Sequence, residues 1–209
     1  KANKILIPSV YIILAILILR VVTLPGAWKG LEFMFTIHPE SFKDPSVWLR
    51  AYTQVAWSTG AGWGMFHVFY VYSAKDEDIM LNSFTVAFGD TTAATLAGMV
   101  VIPAVFALAP DPMAVMKSGA NGLTFVNLTN LFAHTAGGVV LGMLFFLALF
   151  SAALSSVIAM VELGTRNLMD MGLSRIKATA YVTVFFLVVG SWSALDNGIF
   201  ENQDMVWGV

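Results

Sequence analysis

Residues 51–72 contain no Asp, Glu, Lys or Arg and are long enough to cross a bilayer as a helix, yet the middle of the stretch is badly built for one. From Gln54 it reads Gln-Val-Ala-Trp-Ser-Thr-Gly-Ala-Gly-Trp-Gly, ending at Gly64. Gly60, Gly62 and Gly64 each weaken a helix by about 1 kcal/mol relative to alanine, and Ser58 and Thr59 sit just before them. In hydrocarbon every backbone N–H and C=O needs a partner, so a broken span persists only where it lines a cavity or is buried in protein. Transporters use such breaks: freed carbonyls coordinate cations, and a half-helix N-terminus faces an anionic or dipolar substrate. The spacing Gly60-x-x-x-Gly64 also fits close packing of two membrane helices. Three features favour a break: the glycines alternate, hydroxyls adjoin them, and a carboxylate, Asp90, lies inside the next apolar stretch.

The rest of the chain supports a bilayer setting. It is 58% hydrophobic and only 11% charged, with a mean hydropathy of +0.78, whereas soluble domains carry about 25% charged residues. An all-α integral membrane protein is expected, with the lipid bilayer as its surroundings. The net charge of -2 gives no reason to expect nucleic acid or an acidic partner. The absence of cysteine excludes disulfides and leaves the redox compartment unreadable. There is no initiator Met and no signal-peptide pattern, the first apolar run being too long for one, so the chain is expected to be a piece of a longer protein.

The hydropathy pattern predicts spans at about 5–24, 51–72 (broken near 58–64), 79–108, 136–161 and 178–193. Pro8 lies in the first turn of the first span, where a missing N–H costs little. Arg20, near its far end, is placed to snorkel to the interface, with a functional arginine as the alternative. Pro25-Gly26 is expected to stop that helix, and 28–50 reads as a mixed polar and aromatic loop. Lys75-Asp76-Glu77-Asp78 makes a tight charged connection. Residues 109–135 form a long loop with apolar content of its own, expected to be a helical hairpin dipping back toward the protein; loops of such length are usually functional. Asn127-Leu128-Thr129 is a formal glycosylation sequon and is taken as chance. The fourth span is expected to end at Glu162 with Gly164 beyond, 167–177 to be a short loop, and 196–209 a polar tail. Lys1, Lys4, Lys75, Arg166, Arg175 and Lys177 fall on one side of this plan, opposite loops richer in acids. That modest bias puts the N-terminus in the cytoplasm and 109–135 outside.

Asp90 is the most informative single residue. A carboxylate at that depth is costly and should face a partner, a cation or water. Structural ion pairing is the alternative, but no basic residue of the chain lies at a matching depth, which favours a cation or proton role. Ser155-Ser156 lies in the middle of the fourth span, with Ala152, Ser156 and Met160 on one helical face. Such hydroxyls commonly bond to their own backbone or to a neighbouring helix. The functional alternative is a hard cation held by oxygens alone. Glu162 reads as a buried hydrogen-bonding group bordering an inner water path. His38, His67 and His134 show no ligand spacing, so a transition-metal site is not expected. Hydrolase triads, P-loops and dinucleotide fingerprints are absent from the sequence, so no catalytic residues are assigned and the protein is not expected to be an enzyme.

Taken together, these residues resemble the central part of a neurotransmitter:sodium symporter, closest in style to the bacterial amino-acid transporters. The resemblance rests on Leu24-Pro25-Gly26-Ala27 with Gly30-Leu31, on Asp44-Pro45 and Val47-Trp48, and on Gln54 through Gly64. Lys75-Asp76-Glu77-Asp78-Ile79 and Ser155-Ser156 followed by Glu162 complete it. It implies a discontinuous helix within a twelve-helix, inverted-repeat (LeuT-like) plan, of which this chain would be helices five through nine. Trp57, Ser58, Gly60 and Trp63 then take places lining the central substrate pocket, joined by Ser156 and Met160. Ser58 and Asp90 take places at the first sodium ion, and Ala152, Ser155 and Ser156 at the second. Most members have Asn where this chain has Asp90. The added charge stands where chloride-dependent members use the anion, and Ala94, one turn on, lacks the hydroxyl that holds it, so chloride is not expected to be required. Trp57 and Trp63 are bulkier than the phenylalanines common there, and Gly60 restores some room. The first helix, which supplies the other half of both sodium sites, and the third, with its gating tyrosine, are expected partners outside this chain.

The expected function is sodium-coupled symport of an amino acid or related small amine across the plasma (inner) membrane by alternating access. Three rival readings fit less well. An ion channel would repeat a selectivity loop or build symmetric rings, where this chain has one asymmetric site. An intramembrane enzyme would need a nucleophile–base pair or a metal cluster. In a non-transporting relative the sodium ligands would be free to drift, yet Ser58, Ser155 and Ser156 all keep oxygen donors.

Overall fold

Apolar runs of this length leave little choice but helix, and the computed structural model, which describes residues 2–60, 62–118 and 122–207, is helical throughout its regular elements. Lys1 of the basic set, Ala61 of the glycine-rich stretch, residues 119–121 of the long loop and residues 208–209 of the tail lie outside the described residues. The helices are α1 (Asn3–Val21), α2 (Ala27–Phe35), α3 (Pro45–Thr59), α4 (Met65–Tyr70) and α5 (Ile79–Leu108). They continue as α6 (Pro112–Met116), α7 (Leu128–Ala133), α8 (Gly138–Asp170), α9 (Arg175–Leu195) and α10 (Asn197–Trp207). A 3-10 turn at Pro39–Lys43 and a π-helical turn at Gly122–Asn127 complete the set. Among the described residues, α1, α5, α8 and α9 are each long and apolar enough to cross a membrane. The chain divides into two units, residues 1–41 with 79–155, and residues 42–78 with 156–209.

In the first unit α1 packs along α5. Leu14, Leu17 and Val21 meet Val100, Ala104 and Val105 in one cluster, which Leu128, Phe132, Leu141 and Phe145 extend into α7 and α8. Where lipid is as apolar as leucine, water expulsion does not drive this packing; dispersion and close approach do. Gly30 shows how close. A Cβ there would lie 2.6 Å from Pro103 Cα, so only hydrogen lets α2 settle on α5. Phe33 lies against Phe106, the rings tilted with centroids 5.2 Å apart. Residues 28–50, read from sequence as a loop, are thus largely helical. Leu24, Ala27 and Gly30 recur every third residue and are buried, a pattern that the aromatic and charged residues around them mask. Arg20 donates to Thr23 Oγ1 at 2.8 Å and to the Ala136 carbonyl at 3.3 Å.

The long loop is built from α6, the π-helical turn and α7. Asp111 caps α6 by accepting from the Met113 and Ala114 N–H groups. Asn127 Nδ2 donates to Ser118 Oγ and to the Gly122 carbonyl, both at 2.9 Å. Leu128 and Phe132 anchor α7 in the core.

In the second unit α8 runs well past Glu162, through Gly164 and into the expected loop. Gly164 does not stop it, because the glycine serves packing: a Cβ there would come within 2.9 Å of Val182 Cγ1 on α9. The stop is Gly172 at φ 98°. The Leu173 N–H reaches back to Leu168 O and the Gly172 N–H to Met169 O, the paired bonds of a Schellman motif. Residues 197–207 of the expected polar tail are helical, and the Ile199 N–H bonds Asp196 Oδ1 at 3.0 Å as that helix opens.

Candidate functional site

The second unit holds the glycine-rich stretch. Its helix starts earlier than hydropathy suggests, because Asp44-Pro45-Ser46 is an N-terminal signal: cap, proline at the first helical position, and a donor for the cap. The Ser46 N–H donates to Asp44 Oδ1 at 2.9 Å, and that bond holds the Asp44 carboxyl below the usual carboxylate range. At the other end the chain leaves the helix. Gly60, Gly62 and Gly64 take φ of 71°, 84° and 80°, the left-handed region that side chains avoid. The Gly60 N–H bonds Trp57 O and the Trp63 N–H bonds Gly60 O, each at 3.2 Å, before α4 resumes at Met65. Carbonyls in the last turn of a helix that ends this way lose their i+4 donors.

Side chains tie the two halves together. The Trp57 and Trp63 rings meet edge to face at 4.5 Å across the break. Thr59 Oγ1 donates to Val55 O at 2.7 Å and Ser58 Oγ approaches the same carbonyl at 3.4 Å. Ser58, Gly60, Ser156 and Met160 all belong to this unit. A cavity of about 270 Å³ lies beside the break, lined by Trp63, Gly64 and His67 and, from α8, by Leu163, Arg166 and Asp170. Arg166 and Asp170 form an ion pair at 2.9 Å.

Below the break lies a polar cluster that sequence reading did not assemble. Tyr72 Oη donates to Glu162 Oε1 at 2.7 Å, Arg175 Nη2 reaches Glu162 Oε2 at 2.7 Å, and Arg175 Nη1 donates to Tyr72 Oη at 3.2 Å. Both carboxylate oxygens are thereby engaged. The signal was Glu162 itself, an acid in an apolar helix that had to find donors.

The first unit holds Asp90, Ala152 and Ser155. Ser155 Oγ and the Ala152 carbonyl oxygen are 2.7 Å apart, with the hydroxyl donating. Two oxygens assigned to one sodium ion are therefore neighbours on one helix face. Asp90 is half-buried on α5, and the hydroxyls of Thr91, Thr92 and Thr95 bond carbonyls of their own helix. From α1, Tyr11 Oη donates to the Gly89 carbonyl at 2.8 Å, one residue from Asp90. Among the described residues no three His, Cys, Asp or Glu side chains gather as a metal-binding group.

Residues 2–202 match the sodium:neurotransmitter symporter family. An uncharacterized sodium-dependent transporter of Methanocaldococcus jannaschii is 30% identical over 96% of this chain and 42% of its own length. A sodium-dependent dopamine transporter of Caenorhabditis elegans is 26% identical over 95% of this chain and 34% of its own. The crystal structure of MhsT in complex with L-phenylalanine superposes with a TM-score of 0.76 at 35% identity, covering 90% of this chain and 42% of that one. The chain thus spans less than half the length of each of these proteins.

Proposed function

Because this integral membrane chain belongs to the sodium:neurotransmitter symporter family, we propose that it is the central part of a sodium-coupled amino-acid symporter of the plasma membrane that works by alternating access. The observation that carries the reading is the helix that ends at Thr59 and restarts at Met65 inside an uncharged stretch. Broken backbone of that kind supplies carbonyl oxygens for a cation and room for a small zwitterion. The amino-acid class is supported by the L-phenylalanine held in the MhsT structure.

In this reading Trp57, Ser58, Gly60, Trp63, Ser156 and Met160 border the substrate. Ser58 and Asp90 serve the first sodium ion, and Ala152, Ser155 and Ser156 the second. The support for the second assignment is the pair of adjacent hydroxyls, Ser155 and Ser156, within one apolar helix; on binding an ion, Ser155 Oγ would turn from the Ala152 carbonyl it now bonds. Sodium and substrate sharing ligands makes their binding mutually dependent, a reciprocal coupling. Asp90 supplies the negative charge beside sodium, so chloride is dispensable. The α6–α7 segment is the lid on the outer side.

The test is equilibrium binding of labelled amino acids to the purified full-length protein. Saturable binding that appears with sodium and vanishes in potassium supports the reading. Binding indifferent to sodium overturns it.

A further inference from the structure

The burial pattern along α5 is uneven. Val100, Ala104 and Val105 are fully buried, in one cluster with Leu14, Leu17 and Val21 of α1. Toward its N-terminus Ile79, Met80, Leu81, Phe84 and Phe88 are all exposed large apolar side chains. Asp90 sits at the boundary between the held and the exposed part. At that boundary Tyr11 Oη donates to the Gly89 carbonyl at 2.8 Å, joining residues 78 positions apart within one unit.

A helical carbonyl has a second lone pair beyond the one its i+4 N–H uses. Gly89 leaves the approach to that oxygen open: a Cβ there would have only the Tyr11 hydroxyl near it, at 3.7 Å. A bond to the backbone, unlike one to a flexible side chain, sets the height and rotation of α5 at the next residue. In apolar surroundings the phenol has strong reason to keep its acceptor, because no bulk water replaces it.

We propose that Tyr11 is the positioning residue for Asp90, fixing through the Gly89 carbonyl where the carboxylate meets the sodium ion. The proposal rests on Asp90 as a sodium ligand. Tyr11 itself touches neither ion nor substrate in this account. Loss of its hydroxyl leaves the long apolar packing of α1 on α5 intact and lets the carboxylate wander relative to the other ligands. Ion affinity and ion-size preference therefore change before the fold does.

The experiment is a double-mutant cycle on the full-length transporter, reading the sodium concentration that half-saturates substrate binding, the same value for lithium, and substrate affinity at saturating sodium. Tyr11→Phe should raise the sodium value about three- to tenfold and alter the lithium-to-sodium ratio, while substrate affinity at saturating sodium and the melting temperature stay close to wild type. In an Asp90→Ala background the same substitution should change the sodium value less than twofold, because no side-chain oxygen remains to be positioned. If Asp90→Ala shifts sodium dependence but Tyr11→Phe does not, or does so equally in both backgrounds, the positioning role is overturned and the ligand role of Asp90 stands. If Asp90→Ala leaves sodium dependence unchanged, the ligand role fails and the positioning role with it.

Discussion

Removing Arg175 should harm this protein more than removing the charge of Glu162, although the two form a single ion pair. The Glu162 side chain is only 20% exposed, whereas that of Arg175 is 54% exposed. In Arg175→Ala a mostly buried carboxylate loses its cation and keeps Tyr72 Oη as a donor. Stranding a buried polar group costs about 1–3 kcal/mol, with charged groups at the high end. In Glu162→Gln the amide still accepts from Tyr72, and the half-exposed guanidinium turns to water. What is lost is a partly exposed ion pair, about 0.2–1 kcal/mol. The order is therefore Arg175→Ala at about 2 kcal/mol and Glu162→Gln at about 0.5 kcal/mol. The double variant should be more stable than Arg175→Ala alone, since its buried group is neutral. Thermal unfolding of the full-length protein in detergent reads all three. Equal losses in the two single variants, or a double variant worse than Arg175→Ala, would refute the asymmetry of burial on which the reasoning depends.

Four further outcomes follow from the described geometry and the proposed site. Gly30→Ala should cost about 1–3 kcal/mol through overpacking, because its Cβ would meet Pro103 and Ile102 backbone at 2.6 and 3.0 Å; an unchanged melting temperature would mean that α2 does not seat on α5. Trp63→Phe should move substrate preference toward bulkier side chains as the pocket gains volume, and an identical ranking in competition binding would place Trp63 away from substrate. Ser155→Ala and Ser156→Ala should each raise the sodium concentration required for substrate binding, and unchanged sodium titrations in both would remove the second ion from this position. Asp90→Asn with Ala94→Ser should make transport depend on chloride, while the wild type runs equally well in gluconate; a wild type that stops without chloride contradicts the compensation by Asp90.

Hydropathy made the long helices readable, because an apolar run in a bilayer can satisfy its backbone only as helix. The amphipathic and polar helices escaped it. α2 carries Lys29 and Glu32, and α10 is Asn- and Asp-containing, so neither stands out from loop composition. The start of α3 carries a signal that hydropathy does not register: Asp44-Pro45 marks a helix entrance on chemistry alone. Gly164 does not end α8, because a glycine in a helix has two uses. It can end the helix at positive φ, as Gly172 does, or admit a neighbour, as Gly164 admits Val182. The site was half legible for the same kind of reason. Residue types near Gly60 and at Ser155-Ser156 carry their chemistry locally. The partners of Glu162 are 90 and 13 residues away, and Tyr11 is 78 residues from the carbonyl it holds. Only the packing of helices brings such groups together.

The central claim, sodium-coupled uptake of an amino acid, is tested most directly by the full-length protein reconstituted in vesicles. Labelled amino acids are offered with an inward sodium gradient, with potassium in its place, and with gluconate replacing chloride. The account predicts concentrative uptake that needs the sodium gradient, collapses when sodium is equal on both sides, and is unaffected by chloride removal. Uptake that proceeds equally in potassium, or no concentrative uptake of any amino acid from a protein that still binds one, would contradict it.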